Sequence, residues 1–131
     1  NVATHRPAFK SSSKNGGKAR LAVDGKRRTC SVTRRETSPW FIVDLERVVP
    51  VRVVKLDFPR IVLSRLSLSV RVGNLSVDFG KHPMCNGFRG TPSTARSVYL
   101  PCLAVPRGRY VSLHFSGVKS LSICELGVYS E

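Results

Sequence analysis

The sequence predicts an all-β fold, an antiparallel sandwich or barrel, on three observations. Segments dense in β-branched and aromatic residues follow one another from Pro39 onward, two of them alternate strictly between apolar and polar, and helix signals are few. Residues 4–29 come first and read as loop, being rich in Ser, Gly, Lys and Arg, as in the run Ser11 to Lys18. Trp40 to Leu45 and Val48 to Phe58 then read as strands, with Pro50 favouring an edge or a bulge because it offers no N–H to a ladder. In Leu66 to Val72 four apolar residues share one face, while Ser67, Ser69 and Arg71 share the other. Tyr110 to Phe115 repeats the pattern, placing Val111, Leu113 and Phe115 inward and His114 outward as a solvated residue. Leu121 to Tyr129 gives a last strand, and glycines at 73, 80, 87, 90 and 117 punctuate the rest. No repeat or linker divides the chain, so residues 1–131 are expected to form one domain. A chain of this length can bury roughly two-thirds of its unfolded surface.

Composition points to an anionic or polyhydroxyl partner. Twenty-two Lys and Arg against eight Asp and Glu leave a formal charge of +14. Fifteen of those cations are Arg, whose planar fork pairs bidentately with sulfate, phosphate or carboxylate. Cys30, Cys85, Cys102 and Cys124 form no CxxC pair and, with His5, His82 and His114, match no zinc spacing. Two disulfides are the better reading, against four reduced buried thiols, and they place the chain outside the cell or in the secretory pathway. No apolar run is long enough to span a membrane. No signal peptide is visible, so Asn1 reads as a processed or trimmed start, and Asn74-Leu75-Ser76 is a glycosylation sequon.

An enzyme is not expected. The eight carboxylates are scattered, no nucleophile–His–acid set is suggested and no phosphate-cradling glycine loop follows a strand. A binding module is the class that remains. Nucleic acid is a poor partner, because no stacked aromatic platform accompanies the charge. A basic patch from Lys26-Arg27-Arg28, Arg34-Arg35, Arg60, Arg65, Arg107 and Arg109 is one alternative, binding sulfated glycans or anionic cell surfaces without a sugar pocket. The other alternative is that these charges are dispersed and solvated.

The order of motifs then becomes informative. Asn1-Val2-Ala3, Ala22-Val23-Asp24-Gly25, Thr29-Cys30-Ser31, Pro39-Trp40-Phe41 with Val43-Asp44-Leu45, Arg107-Gly108-Arg109-Tyr110-Val111, and Cys124-Glu125-Leu126 with Val128-Tyr129 follow one another. In this order and spacing the set resembles the F-type lectin (fucolectin) family along essentially the whole chain. The resemblance implies a β-sandwich jelly roll of the discoidin-like kind, with a shallow sugar site in the loops at one end. It also implies the bridges Cys30–Cys124 and Cys85–Cys102, worth about 5 and about 3 kcal/mol as chain-entropy upper values.

The family's sugar site uses one His and two Arg as donors, and here the pattern departs. The His position, two residues after the first cysteine, holds Val32. In the segment Asp57 to Arg65, Phe58 takes the first Arg position, Arg60 takes the position of an Asp, and Arg65 keeps the last basic residue. Ile61-Val62 replaces an adjacent cysteine pair. Losing two donors costs about two to four orders of magnitude in affinity if their partner groups stay buried. This leaves either a changed site, in which Arg60 and Phe58 serve, or a packed loop with solvated arginines. The resemblance further implies a calcium site on the Asp24 and Glu125 carboxylates and Thr29, with backbone carbonyls from Leu21, Lys26 and Cys124. The alternative pairs those carboxylates with Lys26, Arg27 and Arg28. The family includes innate-immune fucolectins and the F-lectin repeats of bivalve sperm bindins. The basic balance is nearer the second, with a glycan or glycoprotein on an egg or cell surface as partner.

Overall fold

The computed structural model describes residues 1–14, 16–59, 65–92 and 97–131. Strands β1 (Ala8–Lys10), β4 (Trp40–Pro50), β9 (Arg107–Phe115), β6 (Leu66–Gly73) and β7 (Met84–Gly90) form a five-stranded antiparallel sheet in the order β1-β4-β9-β6-β7. A three-stranded antiparallel sheet, ordered β12-β5-β8, combines β5 (Val53–Asp57), β8 (Val98–Pro101) and β12 (Glu125–Tyr129). Two short ladders complete the fold, β2 (Ser31–Val32) with β11 (Ser122–Ile123) and β3 (Glu36–Thr37) with β10 (Val118–Lys119). Of the two architectures that the alternation allows, sandwich or barrel, the chain adopts the antiparallel β-sandwich that the resemblance implies.

The core lies between the sheets and explains the register. Phe41, Val43, Leu68, Val70, Val111 and Leu113 supply it from the five-stranded sheet, and Val54, Leu56, Leu126 and Val128 from the other. Shifting β6 by one residue would turn Ser67, Ser69 and Arg71 inward and Leu68, Val70 and Val72 into water. Each such side chain is worth about 1.5–3 kcal/mol when fully buried.

Three motifs of the sequence acquire physical reasons. The Asp44 carboxylate accepts two bonds from Arg109, at 2.7 Å from Nε and 2.8 Å from Nη2, so the Val43-Asp44-Leu45 and Arg107-to-Val111 segments hold the two halves of one ion pair. Between them Gly108 is obligatory, since a Cβ would lie 2.7 Å from Val72 Cγ1 and 2.8 Å from the Gly73 amide. The Asn1 side-chain oxygen accepts from the amides of Ala3 and Val128, tying the first residues to β12. Cys30 is bonded to Cys124 and Cys85 to Cys102, the pairing that the resemblance implies. The second bridge staples β7 to the end of β8, across the two sheets.

Two expectations need correction. The segment 4–29 is not all loop, because Ala8–Lys10 adds an edge strand to β4 and Ala19–Ala22 makes a 3-10 turn. His114 is not a solvated residue: it is half-buried opposite Trp40, and its Nε2 lies 2.9 Å from Ser112 Oγ. Burial, with the Arg71 charge second, lowers its pKa. Pro50 falls just after the irregularity between Asp44 and Val49, where the strand can do without an N–H.

Candidate functional site

Residues 118–125 form a spine that gathers the candidate sugar-site residues. Val32 pairs with Ser122 across the β2–β11 ladder. The Cys124 amide donates to the Asp57 carbonyl at 2.8 Å, which places Phe58 beside the same segment. Lys119 Nζ donates to the Arg65 carbonyl, anchoring the start of β6 there. Arg60, Ile61 and Val62 lie outside the described residues.

The chemistry at each position differs. Val32 is half-buried against the backbone of Gly17, where a Cβ would come within 2.8 Å of Val32 Cβ. Its amide donates to Gly17 O at 2.9 Å, and its carbonyl accepts from the Lys14 amide and from Lys10 Nζ at 2.8 Å. Burial lowers the Lys10 pKa, and its Nζ donates to the carbonyls of Gly17 and Val32. Phe58 is half-buried against the core and Arg65 is exposed. Val32 is thus a packed, donorless side chain, and Arg65 faces solvent.

Two cations of the candidate basic patch are ion-paired, Arg109 with Asp44 and Arg27 Nη2 with the buried Asp57 Oδ1 at 3.2 Å, while Arg34 Nε donates to the Ser13 carbonyl at 3.3 Å. Lys55 adds a second contact to Asp57 at 3.8 Å, and Ser97 Oγ donates to its Oδ1. The remaining bridge joins Arg6 to Glu46 at 3.1 Å, so the described ion pairs engage four cations in all.

A separate acidic niche joins the 3-10 turn region to β12. Asp24 Oδ1 accepts from the Lys26 amide at 2.9 Å, and its Oδ2 accepts from Thr29 Oγ1. Glu125 is 7% exposed, and its Oε1 is buried with no hydrogen-bond partner. Burial, reinforced by repulsion from Asp24, pushes the Glu125 carboxyl up to about 7. A buried, donorless carboxylate oxygen beside a second carboxylate is a site that a hard cation satisfies. Asp24, Thr29, Leu21 and Lys26 also line one cleft of about 470 Å³ together with His5, Arg6 and Arg20, while Glu125 does not line it and Cys124 is buried next to Glu125 in the chain. None of Lys26, Arg27 or Arg28 forms a salt bridge with Asp24 or Glu125 among the described residues. No cluster of three or more His, Cys, Asp or Glu occurs among those residues, so ligation beyond two carboxylates falls to Thr29 and the backbone carbonyls. The residues present fit calcium on these terms.

No helix among the described residues is long and apolar enough to cross a membrane.

Comparison with known proteins agrees with the fold. A fucolectin from striped bass (Morone saxatilis) serum superposes with a TM-score of 0.85 over 100% of the chain at 27% identity. The chain spans 47%, about half, of that fucolectin's length. A fucose binding module of Streptococcus pneumoniae matches with a TM-score of 0.78 and 24% identity, over 100% of this chain and 95% of that one. Chitosan-binding module 2 from a Paenibacillus sp. IK-5 chitosanase/glucanase, in complex with chitotriose, matches with a TM-score of 0.82 and 19% identity, over 98% and 99% of the two chains. No curated protein sequence matches significantly. The family described as "NedA-like, galactose-binding domain" matches residues 21–113, which is well over half of the chain. With the F-type lectin fold established by the fucolectin match, the chain belongs to the NedA-like, galactose-binding domain family.

Proposed function

We propose that residues 1–131 form one extracellular carbohydrate-recognition module, not an enzyme, whose fucose-type site has an altered specificity. The observation that supports the reading is that the segment 118–125 touches or adjoins Val32, Phe58 and Arg65, the residues that the resemblance to fucolectins assigns to the sugar site. Val32 cannot donate to a hydroxyl and Phe58 offers an apolar ring, so a sugar here meets fewer donors and more apolar surface. Arg65 is the donor that orients it. A formal charge of +14 favours a glycan or glycoprotein on an acidic coat, and the setting we propose is cell adhesion of the sperm–egg kind. Two disulfides suit that location.

Calcium is the ion we propose for the acidic niche. Asp24 and Glu125 would supply carboxylates, Thr29 an oxygen, and Leu21, Lys26 and Cys124 carbonyls. The ion would supply positive charge to the orphaned Glu125 oxygen and tie the 3-10 turn region to β12.

The test of the sugar site is Arg65→Ala on a glycan array. Selective binding should fall by about tenfold or more, the value of one charge-assisted hydrogen bond. Undiminished binding would remove Arg65 from the site.

A further inference from the structure

Two clefts lie side by side on the outer face of β6 and β7. The first, about 510 Å³, is lined by Arg65, Ser67, Arg89, Ser116 and Lys119 over an apolar floor that includes Leu66 and Val118. The second, about 430 Å³, continues past Ser69, Asn86 and Phe88. Ser67, Arg89 and Ser116 line both, so the two form one groove. Each half lies within the roughly 300 to 1,000 Å³ of small-ligand sites.

The groove is assembled by register. Ser67 faces Arg89 directly across the β6–β7 ladder, and the Ser116 amide donates to the Ser67 carbonyl at 2.9 Å. Lys119 Nζ is fixed on the Arg65 carbonyl, which brings its charge to the start of β6. Three cations therefore converge, with no acidic side chain in the lining.

Among the described residues no salt bridge offsets their charge. All eight carboxylates of the sequence lie among the described residues, and none forms a salt bridge with Arg65, Arg89 or Lys119. Glu36, opposite Lys119 across the β10–β3 ladder, accepts instead from Ser12 Oγ and lines neither cleft.

We propose that this groove is a subsite for a sulfated glycan chain, with Arg65, Arg89 and Lys119 binding sulfate groups and Ser67, Ser69 and Ser116 meeting sugar hydroxyls. The inference rests on the carbohydrate-recognition reading and adds the charge of the ligand and the residues that read it. Arg forks suit the oxygens of a sulfate group, the serines offer both donors and acceptors, and the apolar floor accommodates the face of a sugar ring. A groove open along the outer face of β6 and β7 admits an extended chain rather than a single capped residue.

Binding of the 131-residue chain to immobilised heparin and to chemically desulfated heparin tests this. It is measured for the parent and for Arg89→Glu, Lys119→Glu and Lys81→Glu, with thermal melts to verify folding. Arg89→Gln and Lys119→Gln are the milder substitutes should a reversal unfold the chain. Lys81 is exposed, lines neither cleft, and serves as the charge-matched control. Heparin affinity should fall about tenfold for either groove reversal and less than about twofold for the control. Desulfated heparin should bind at least about tenfold more weakly than heparin. Equal losses at Lys81, unchanged affinity in the groove variants, equal binding of double-stranded DNA, or no heparin binding at low salt would each overturn the inference. Neutral glycans run alongside separate the two readings. Their binding without heparin binding sinks the groove alone, and heparin binding confined to sulfated chains, without any neutral glycan, sinks the neutral pocket alone.

Discussion

The acidic niche at Asp24 and Glu125 and the basic groove at Arg65, Arg89 and Lys119 are both clusters of like charge, yet they differ in depth. Glu125 is 7% exposed and has an oxygen with no donor, whereas Arg65 and Arg89 stand in water. Charge crowding in the interior costs folding energy, because neither water nor counter-ions screen it. The same crowding at the surface is cheap and screened by salt. On the proposed readings the niche would take a small ion that offsets the buried charge, and the groove a large ligand that leaves stability alone.

The largest effect that would sharpen the contrast is calcium on thermal stability. An ion at about a hundred times its Kd adds about 2.7 kcal/mol. The melting temperature should rise by several degrees, and Asp24→Ala or Glu125→Gln should abolish the rise. A parent protein with no shift in millimolar calcium would show that the niche binds no such ion.

A second effect concerns a cation that does have a partner. The Arg109 hydrogen bonds hold the Asp44 carboxyl below its ordinary pKa, with partial burial opposing them. A depressed carboxyl contributes stability above its unfolded pKa and loses it as pH falls through the folded value. The melting temperature should therefore drop steeply below about pH 4, and Arg109→Met should lower it at neutral pH while flattening that acid limb. Parallel pH curves for parent and variant would show that the pair is not coupled to folding.

The smallest effect is the most discriminating. Arg89→Glu should change stability by no more than about 0.5 kcal/mol, since it removes no buried partner. A markedly altered melt would mean that the groove residues hold the fold together, and the contrast with the niche would fail.

The sandwich was legible because Leu66 to Val72 and Tyr110 to Phe115 alternate with the period that one buried face demands. The bridges followed from motif order, not from geometry. The strand Ala8–Lys10 was illegible because three residues carry no period, and only pairing with β4 makes it a strand. His114 pointed outward as expected, but the outward face of a five-stranded sheet is itself covered near Trp40. Of the candidate site, Arg65, Val32 and the Asp24–Glu125 pair could be named only through the resemblance to F-type lectins, not from composition or periodicity. Arg89 and Lys119 gave no such signal, each standing apart from other cations in the chain, and only register brings them beside Arg65.

The most direct test of the account is a glycan array probed with the parent chain at about 50 and about 300 mM salt. The account predicts selective binding to a restricted set of acidic glycans, stronger at the lower salt and stronger than to any neutral fucoside. Binding to no glycan at either salt, or salt-independent binding led by a neutral fucoside, would contradict it.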